Sequence, residues 1–188
     1  ADRLFAAGAD KILINTALQR DPLLAAELAA KFGSQAVVAG VDVSEDPTRV
    51  PQPRRNLVVD HAGLDTRIRA AVELGVGEVC IQSVDCDGTG NGLDLDVLAH
   101  TPSISVPVIL MGGVGRAEHF LQGLQMPDVD AVVTANLLNF VGDALVRTRR
   151  ALLEAGVAVP AWSSAELQSL RLAFRARGAN LGGEVRSP

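Results

Sequence analysis

The sequence predicts an α/β protein on a parallel sheet, and among parallel architectures it favours a (β/α)8 TIM barrel of which this chain holds the last five strands. Short aliphatic runs alternate with amphipathic helical stretches five times, the pattern of successive βαβ units. Several of those runs end on polar residues, at Asn15-Thr16, Asp42, Asp85, Gly112-Gly113 and Asn136. Polar groups at many different strand C-termini are how a barrel assembles its site, because its βα loops converge there. An open doubly wound sheet instead concentrates its site at one switch point, usually behind a Gly-rich fingerprint, and no G-x-G-x-x-G follows the first strand here. A third observation sharpens the choice: residues 9–18 resemble residues 129–138, 120 positions later. As equivalent strands of two half-barrels they imply a whole barrel of about 240 residues, near the ~250 typical of the fold. About three βα units would then precede the first residue. Chance similarity between two aliphatic strands also accounts for the likeness.

The elements follow in order. Residues 2–7 read as the end of a helix closed by Gly8, and 11–15 as a strand. Asp21 is expected to cap a helix over 22–31, with Pro22 at its first position and Gly33 near its end. Residues 36–42 are the second strand. Pro47, Pro51 and Pro53 among scattered charges make 43–63 a long loop, with room for a short hairpin arm at 57–59. A helix over 64–74 ends at Gly75, and 78–85 is the third strand, followed by a loop rich in Gly and Asp. Residues 94–100 read as a short helix, 106–111 as the fourth strand, 117–124 as a helix and 131–134 as the fifth strand. A long helix follows over about 143–154. The domain prediction is a partial barrel over 1–162 and an appended C-terminal extension over 163–188, helical over 165–176 and disordered from 178.

Composition bounds the function. The chain has 188 residues, 48% of them hydrophobic and 21% charged, enough apolar material for a core and against a disordered chain. With 3% aromatics and no Tyr, that core must rest on Val, Leu, Ile and Ala, which suits buried parallel strands. Lys and Arg number 17 against 22 Asp and Glu, a net charge of −5, which argues against a nucleic-acid binder. No apolar run approaches the ~20 residues that span a bilayer, and the first residues lack a secretion signal. Cys80 and Cys86 are too few for a disulfide scaffold and lack zinc-type partners. A reduced, cytoplasmic setting is the expectation. The chain does not begin with Met, so it reads as processed or as a piece of something longer.

Four stretches together carry a family resemblance. They are Gly8-Ala9-Asp10-Lys11 through Asn15-Thr16-Ala17, Phe32-Gly33-Ser34-Gln35-Ala36-Val37-Val38, Ser83-Val84-Asp85-Cys86-Asp87-Gly88-Thr89, and Gly112-Gly113-Val114-Gly115 with Glu118-His119-Phe120. The chain resembles the cyclase subunit of imidazole glycerol phosphate synthase, a (β/α)8 barrel of histidine biosynthesis. The likeness runs in register from residue 1 to about 162, apart from the 43–63 loop, and corresponds to the last two-thirds of the family's barrel. It implies a lyase whose ammonia comes from a separate glutaminase subunit, its heterodimer partner. The ammonia travels through the barrel and attacks a bisphosphorylated ribulosyl imidazole-carboxamide intermediate. Imidazole glycerol phosphate and an aminoimidazole-carboxamide ribonucleotide are released. The resemblance implies no metal and no cofactor. Two aspartates, at the ends of the first and fifth barrel strands, serve the family as general acid and base. Asp42 matches the second of them, and the first falls in the segment this chain lacks.

Position alone also draws attention to Asp42. A carboxylate after an aliphatic strand sits at the barrel mouth, where partial desolvation suits it to proton transfer, although an ordinary turn-capping Asp is equally at home there. A bisphosphate needs two anion sites, which backbone N–H groups at Gly-rich loops and helix N-termini supply. Asn15 and Thr16 resemble the family's site for one phosphate. Asp87-Gly88, Gly112-Gly113 and Ala135-Asn136 resemble the site for the other, Asn136 standing where relatives commonly have Ser. Each Gly is equally explained by turn geometry. Asp85 and Thr89 are expected to shape their loop. Lys11 and Glu78 lie at the N-terminal ends of their strands, and the matching family residues belong to a charged ring that gates ammonia. The residue matching Asp10 faces the glutaminase. A surface ion pair worth about 0–1 kcal/mol explains Lys11 and Glu78 as well. His119 reads as structural and Cys86 as a small loop residue. Two other readings stay open: a paralogue passing ammonia to a sugar amidotransferase of surface-polysaccharide synthesis, suggested by Pro47–Arg55 and the 139–143 segment, and an inactive fragment. The sister isomerase of the same pathway fits less well at Ile14-Asn15-Thr16 and at Glu118-His119-Phe120.

Overall fold

The computed structural model describes residues 1–51, 57–135 and 144–160. Five strands form one sheet: β1 (Ile12–Ile14), β2 (Val37–Val43), β3 (Glu78–Ser83), β4 (Val108–Met111) and β5 (Ala131–Val133). The helices are α1 (Asp2–Ala6), α2 (Thr16–Arg20), α3 (Leu23–Phe32), α4 (His61–Glu73), α5 (Ala117–Leu124) and α6 (Ala144–Glu154), with 3-10 turns at Ser34–Ala36, Pro47–Arg49 and Asp96–His100. Every pairing is parallel and the strand order is β1-β2-β3-β4-β5.

That order decides the architecture. Parallel crossovers are right-handed, so strands added always on the same side carry their helices on one face only. A doubly wound sheet would reverse direction at a switch point, and these five strands never do. They form a continuous sector of a (β/α)8 barrel, helices outside and the other face toward the barrel axis.

Side-chain parity follows, since strand residues alternate between faces. Val37, Ala39, Val41 and Val43 of β2, Val79 and Ile81 of β3, and Val108 and Leu110 of β4 join Leu64, Ile68 and Ala71 of α4 in the main core. Leu64 and Ile68 are wholly buried, each contributing about 1.5–3 kcal/mol through burial. The alternate residues face the axis, in registered rows. Gly40, Cys80, Ile109 and Ala131 form one row, and Asp42, Gln82, Met111 and Val133 the next toward the strand C-termini. All seven residues of β2 are buried, whereas Leu13 of β1 and Val133 of β5, at the two ends of the sheet, are well exposed. Gly40 makes room for the neighbouring strand: a Cβ there would lie 2.7 Å from Leu13 Cδ2 and 3.1 Å from Asn15 Cβ.

The structure corrects several local expectations. Residues 57–59 are not a hairpin arm. Val59 bridges Val43 in the parallel sense, donating its N–H to the Asp42 carbonyl and accepting from Ser44 N, both at 3.0 Å. It occupies the flank of β2 beyond Ala39, where the pairing with β1 stops. Helix α2, unforeseen, follows β1 directly. Asp21 terminates α2, and Pro22 rather than Asp21 is the N-cap of α3, which has no side-chain cap. Helix α4 starts three residues early because Asp60 caps it, its Oδ1 accepting from Gly63 N at 2.8 Å. Strand β4 starts at Val108 rather than at 106, since Pro107 has no N–H to give a ladder; its carbonyl still accepts from Val79 N. The 139–143 segment, Asn136 and the proposed 163–188 extension lie outside the described residues. No helix among the described residues is long and apolar enough to cross a membrane.

Candidate active site

The C-terminal ends of the strands gather most of the predicted residues. Asp42, one residue before the end of β2, points to the axis and is only 6% exposed. Such a carboxylate requires hydrogen-bonded partners, and Asn15 supplies one: its Nδ2 donates to Asp42 Oδ1 at 2.7 Å. Asn15 holds that place because it is the N-cap of α2, where the chain turns sharply out of β1. Thr16, half-buried, opens the same helix.

Three strands away lies a second cluster. Asp87, Gly112, Gly113 and Ala135 line one small concavity together with Met111, Val114, Val133 and Thr134. Gly112 and Gly113 have φ of +107° and +88°, the left-handed region that favours glycine. The loop is held from outside by Gly92, whose N–H donates to the Gly113 carbonyl at 2.8 Å, and by Thr134 Oγ1, which donates to the Val114 carbonyl. Gly88 is exposed, with φ +78°. The two clusters thus sit on either side of Asp42 and Gln82, separated by strand spacings of about 5 Å each.

Asp85 shapes its surroundings, as expected. Its Oδ1 accepts from Ser44 Oγ at 3.0 Å and its Oδ2 from Glu45 N at 2.9 Å, tying the β2–α4 loop to the β3–β4 loop. Thr89 Oγ1 donates to the Cys86 carbonyl at 2.7 Å and accepts from Asn91 N. His119 is buried behind the Gly112–Gly115 turn, its Nδ1 accepting from Gly115 N at 3.1 Å. Burial, then the nearby Arg116 charge, push its pKa down, so it stays a neutral prop for that turn. His61 Nε2 and Ser83 Oγ both meet Asp94 Oδ2, on the helix side of the sheet and apart from this face.

At the other end of the strands, Lys11 and Glu78 form an ion pair. Lys11 immediately precedes β1 and Glu78 opens β3, so the pair spans the axis-facing side of β2 near Val38. Lys11 is half exposed and Asp10 beside it is exposed. Along β2 the four residue steps from Val38 to Asp42 separate this pair from the carboxylate by about 13 Å.

Cys80 lies between the two ends, buried on the axis-facing side. Its thiol is pushed up to about 11 from an ordinary 9.0, first by burial and then by the Asp42 charge. The unfolded chain would lose this proton first, so the thiol's contribution is fully present below pH 9.0 and is lost as pH rises toward 11. We expect unfolding free energy to fall by about 3 kcal/mol over that window. Urea titrations at about pH 8.5 and pH 11 on the wild type and Cys80→Ala should show the pH loss shrinking in the variant. Cys86, half-buried, is also raised, chiefly by burial.

Two functional candidates escaped the sequence reading. Gln82 shares Asp42's row and donates from Nε2 to Asp87 Oδ2 at 3.1 Å. A polar residue near the end of an aliphatic strand, with Asp42's parity, was its signal. Gln19 contacts Asn15 from the next turn of α2, and its spacing of four from Asn15 was the signal there.

Comparisons with known proteins show what the chain is similar to. The chain is 38% identical over 162 residues to the imidazole glycerol phosphate synthase subunit HisF of Bacillus cereus (strain Q1), covering 80% of this chain and 63% of that protein. It is 37% identical over 167 residues to the HisF subunit of Corynebacterium glutamicum (strain R), covering 84% and 64%. The chain therefore spans somewhat under two-thirds of the length of these relatives. The profile of the family described as histidine biosynthesis protein matches residues 1–143. That span takes in all five strands and both clusters around Asp42, and this chain belongs to the histidine biosynthesis protein family.

Proposed function

We propose that this chain is the greater part of an imidazole glycerol phosphate synthase cyclase subunit, a lyase that uses ammonia from a glutaminase partner. The observation that carries the reading is the placement of Asp42. It stands on the axis-facing side, held by Asn15, between two candidate phosphate clusters. A bisphosphorylated ribulosyl imidazole-carboxamide substrate lying across the strand ends would rest one phosphate near Asn15-Thr16. Its other phosphate would rest near Gly88, Gly112-Gly113 and Ala135, and Asp87 orients the loop through Gln82. Its reacting centre then lies over Asp42. As ammonia forms its bond to carbon, the nitrogen must shed protons, and a carboxylate in contact with it exchanges them. The second carboxylate of the family's pair belongs to a strand outside this chain.

The Lys11–Glu78 pair supports the ammonia route. A half-exposed ion pair contributes only about 0–1 kcal/mol to stability, so its place at the axis is better explained as a gate. Ammonia admitted there would pass Val38, Gly40, Cys80 and Ile109, whose apolar and uncharged surfaces neither bind nor protonate it. Asp10, exposed beside Lys11, belongs to the face that would meet the glutaminase.

The test is turnover of the complete gene product with ammonium chloride at mildly alkaline pH. We expect the imidazole-carboxamide substrate to yield both products. The loop over 43–63 departs from the family's pattern, and it favours one other reading, a paralogue serving a sugar amidotransferase. Such a paralogue would leave the imidazole substrate unconverted and would fail to be inhibited by it, an outcome that discards the cyclase assignment.

A further inference from the structure

A chain of amides leads away from Asp42. A carboxylate only accepts hydrogen bonds, so the Asn15 side chain must turn its Nδ2 toward Asp42 and its Oδ1 away. That Oδ1 meets Gln19, whose Nε2 donates to it at 3.1 Å. The same Nε2 donates to the Leu57 carbonyl at 2.8 Å. Leu57 stands two residues before Val59, which itself donates to the Asp42 carbonyl. Every donor and acceptor in this run has one sense only, and it begins on the loop that follows β2 and returns to β2. Asn15 and Gln19 are both part-buried, so water competes weakly for their amides.

We propose that Gln19 is a positioning residue: by donating to Asn15 Oδ1 and to the Leu57 carbonyl, it locks the Asn15 amide in the orientation that donates to Asp42, and so couples the 57–59 segment to the carboxylate. The proposal rests on the reading of Asp42 as the proton-exchanging group. Without Gln19, Asp42 alone orients the Asn15 amide, because Gln19 is the donor to Asn15 Oδ1 among the described residues. Held at one end only, the side chain turns more freely, and the Nδ2–Asp42 contact is broken part of the time.

The experiment uses the complete gene product with ammonium as nitrogen source. Gln19→Met keeps the length and removes the amide. It should lower kcat about tenfold and change KM less than about twofold, as expected when a reacting group is misplaced and substrate binding is intact. In an Asn15→Ala background the same change should alter kcat less than about twofold, because the intermediary is gone. Equal losses in both backgrounds, or no loss in either, overturn the proposal. A second measurement does not depend on activity: the Asn15 side-chain amide signals in 1H–15N spectra, assigned by their absence in Asn15→Ala. They should be dispersed and slow to exchange in the wild type and should collapse toward free-amide positions in Gln19→Met. Unchanged signals overturn the relay. If Asp42→Asn retains turnover while the amide signals respond to Gln19→Met, the catalytic reading fails and the relay stands.

Discussion

Asp42→Asn should leave the protein folded and lower ammonia-dependent kcat by about 10²–10⁴-fold, the usual contribution of a positioned general acid or base. The substitution is close to isosteric. The amide oxygen that replaces Oδ1 still accepts from Asn15 Nδ2, the contact made at 2.7 Å in the wild type. The backbone bond from Val59 N to the residue 42 carbonyl is untouched. Stability should therefore move by no more than about 1 kcal/mol, the net worth of one hydrogen bond. What disappears is the carboxylate's capacity to take up and release a proton. Since the proposed phosphate clusters lie on other strands, KM should stay within a few-fold. Steady-state kinetics with ammonium chloride, paired with a urea melt, separate the two effects. Near-normal turnover in this variant would remove Asp42 from the chemistry and with it the cyclase reading.

The largest stability effect is expected at Gly113. Its φ is +88°, and a Cβ built there would stand 1.8 Å from the Gly92 carbonyl oxygen and 3.0 Å from Cys86 Cβ. The nearest partner is backbone, Gly92 itself at φ +122°, so it does not yield as a flexible side chain would. Gly113→Ala should force the 90–92 segment away and break the Gly92–Gly113 hydrogen bond. The cost is about 3 kcal/mol or more from overpacking and the left-handed φ together. For a chain of this size that is a fall in Tm of roughly 6–12 °C. Gly156→Ala provides the contrast, with φ +79° but nothing within 4 Å of the added Cβ. It should cost only about 1 kcal/mol. Thermal melts of both variants read the difference, and equal shifts would mean that the close approach of Gly92 is not a constraint in solution.

Both predictions concern residues that could be named from the sequence, and the reasons differ. Asp42 and Gly112-Gly113 end aliphatic runs, and a run of buried parallel strand advertises its end wherever a polar residue or a glycine pair interrupts it. The helix over 117–124 was legible for a related reason: its apolar residues keep a helical period between a glycine-rich start and Pro127. Lys11 and Glu78 stood out as charges at the opposite ends of their strands, and the structure joins them across β2. These are all signals of one residue against its immediate neighbours.

What stayed hidden was relational. Helix α2 is five residues long and ordinary in composition; it forms because Asn15 turns the chain out of β1 and α3 packs behind it. Leu57–Val59 reads as a hairpin arm because a β-rich tripeptide does not carry its direction. Only the vacant flank of β2 beyond Ala39 decides that Val59 pairs in parallel with Val43. Gln19 and Gln82 became visible once register and the turn of α2 brought them to Asn15 and Asp87.

The sequence by itself determined the alternation of strands and helices, the aliphatic core and which strand ends carry polar groups, because these depend on periodicity and local chemistry within a few residues. Tertiary structure alone decided the unbroken order of the five strands, the shared concavity of Asp87, Gly112, Gly113 and Ala135, and the amide chain from Leu57 to Asp42. Each of those joins residues tens of positions apart, and no local propensity sets such distances; the packing of helices on one face of a parallel sheet does.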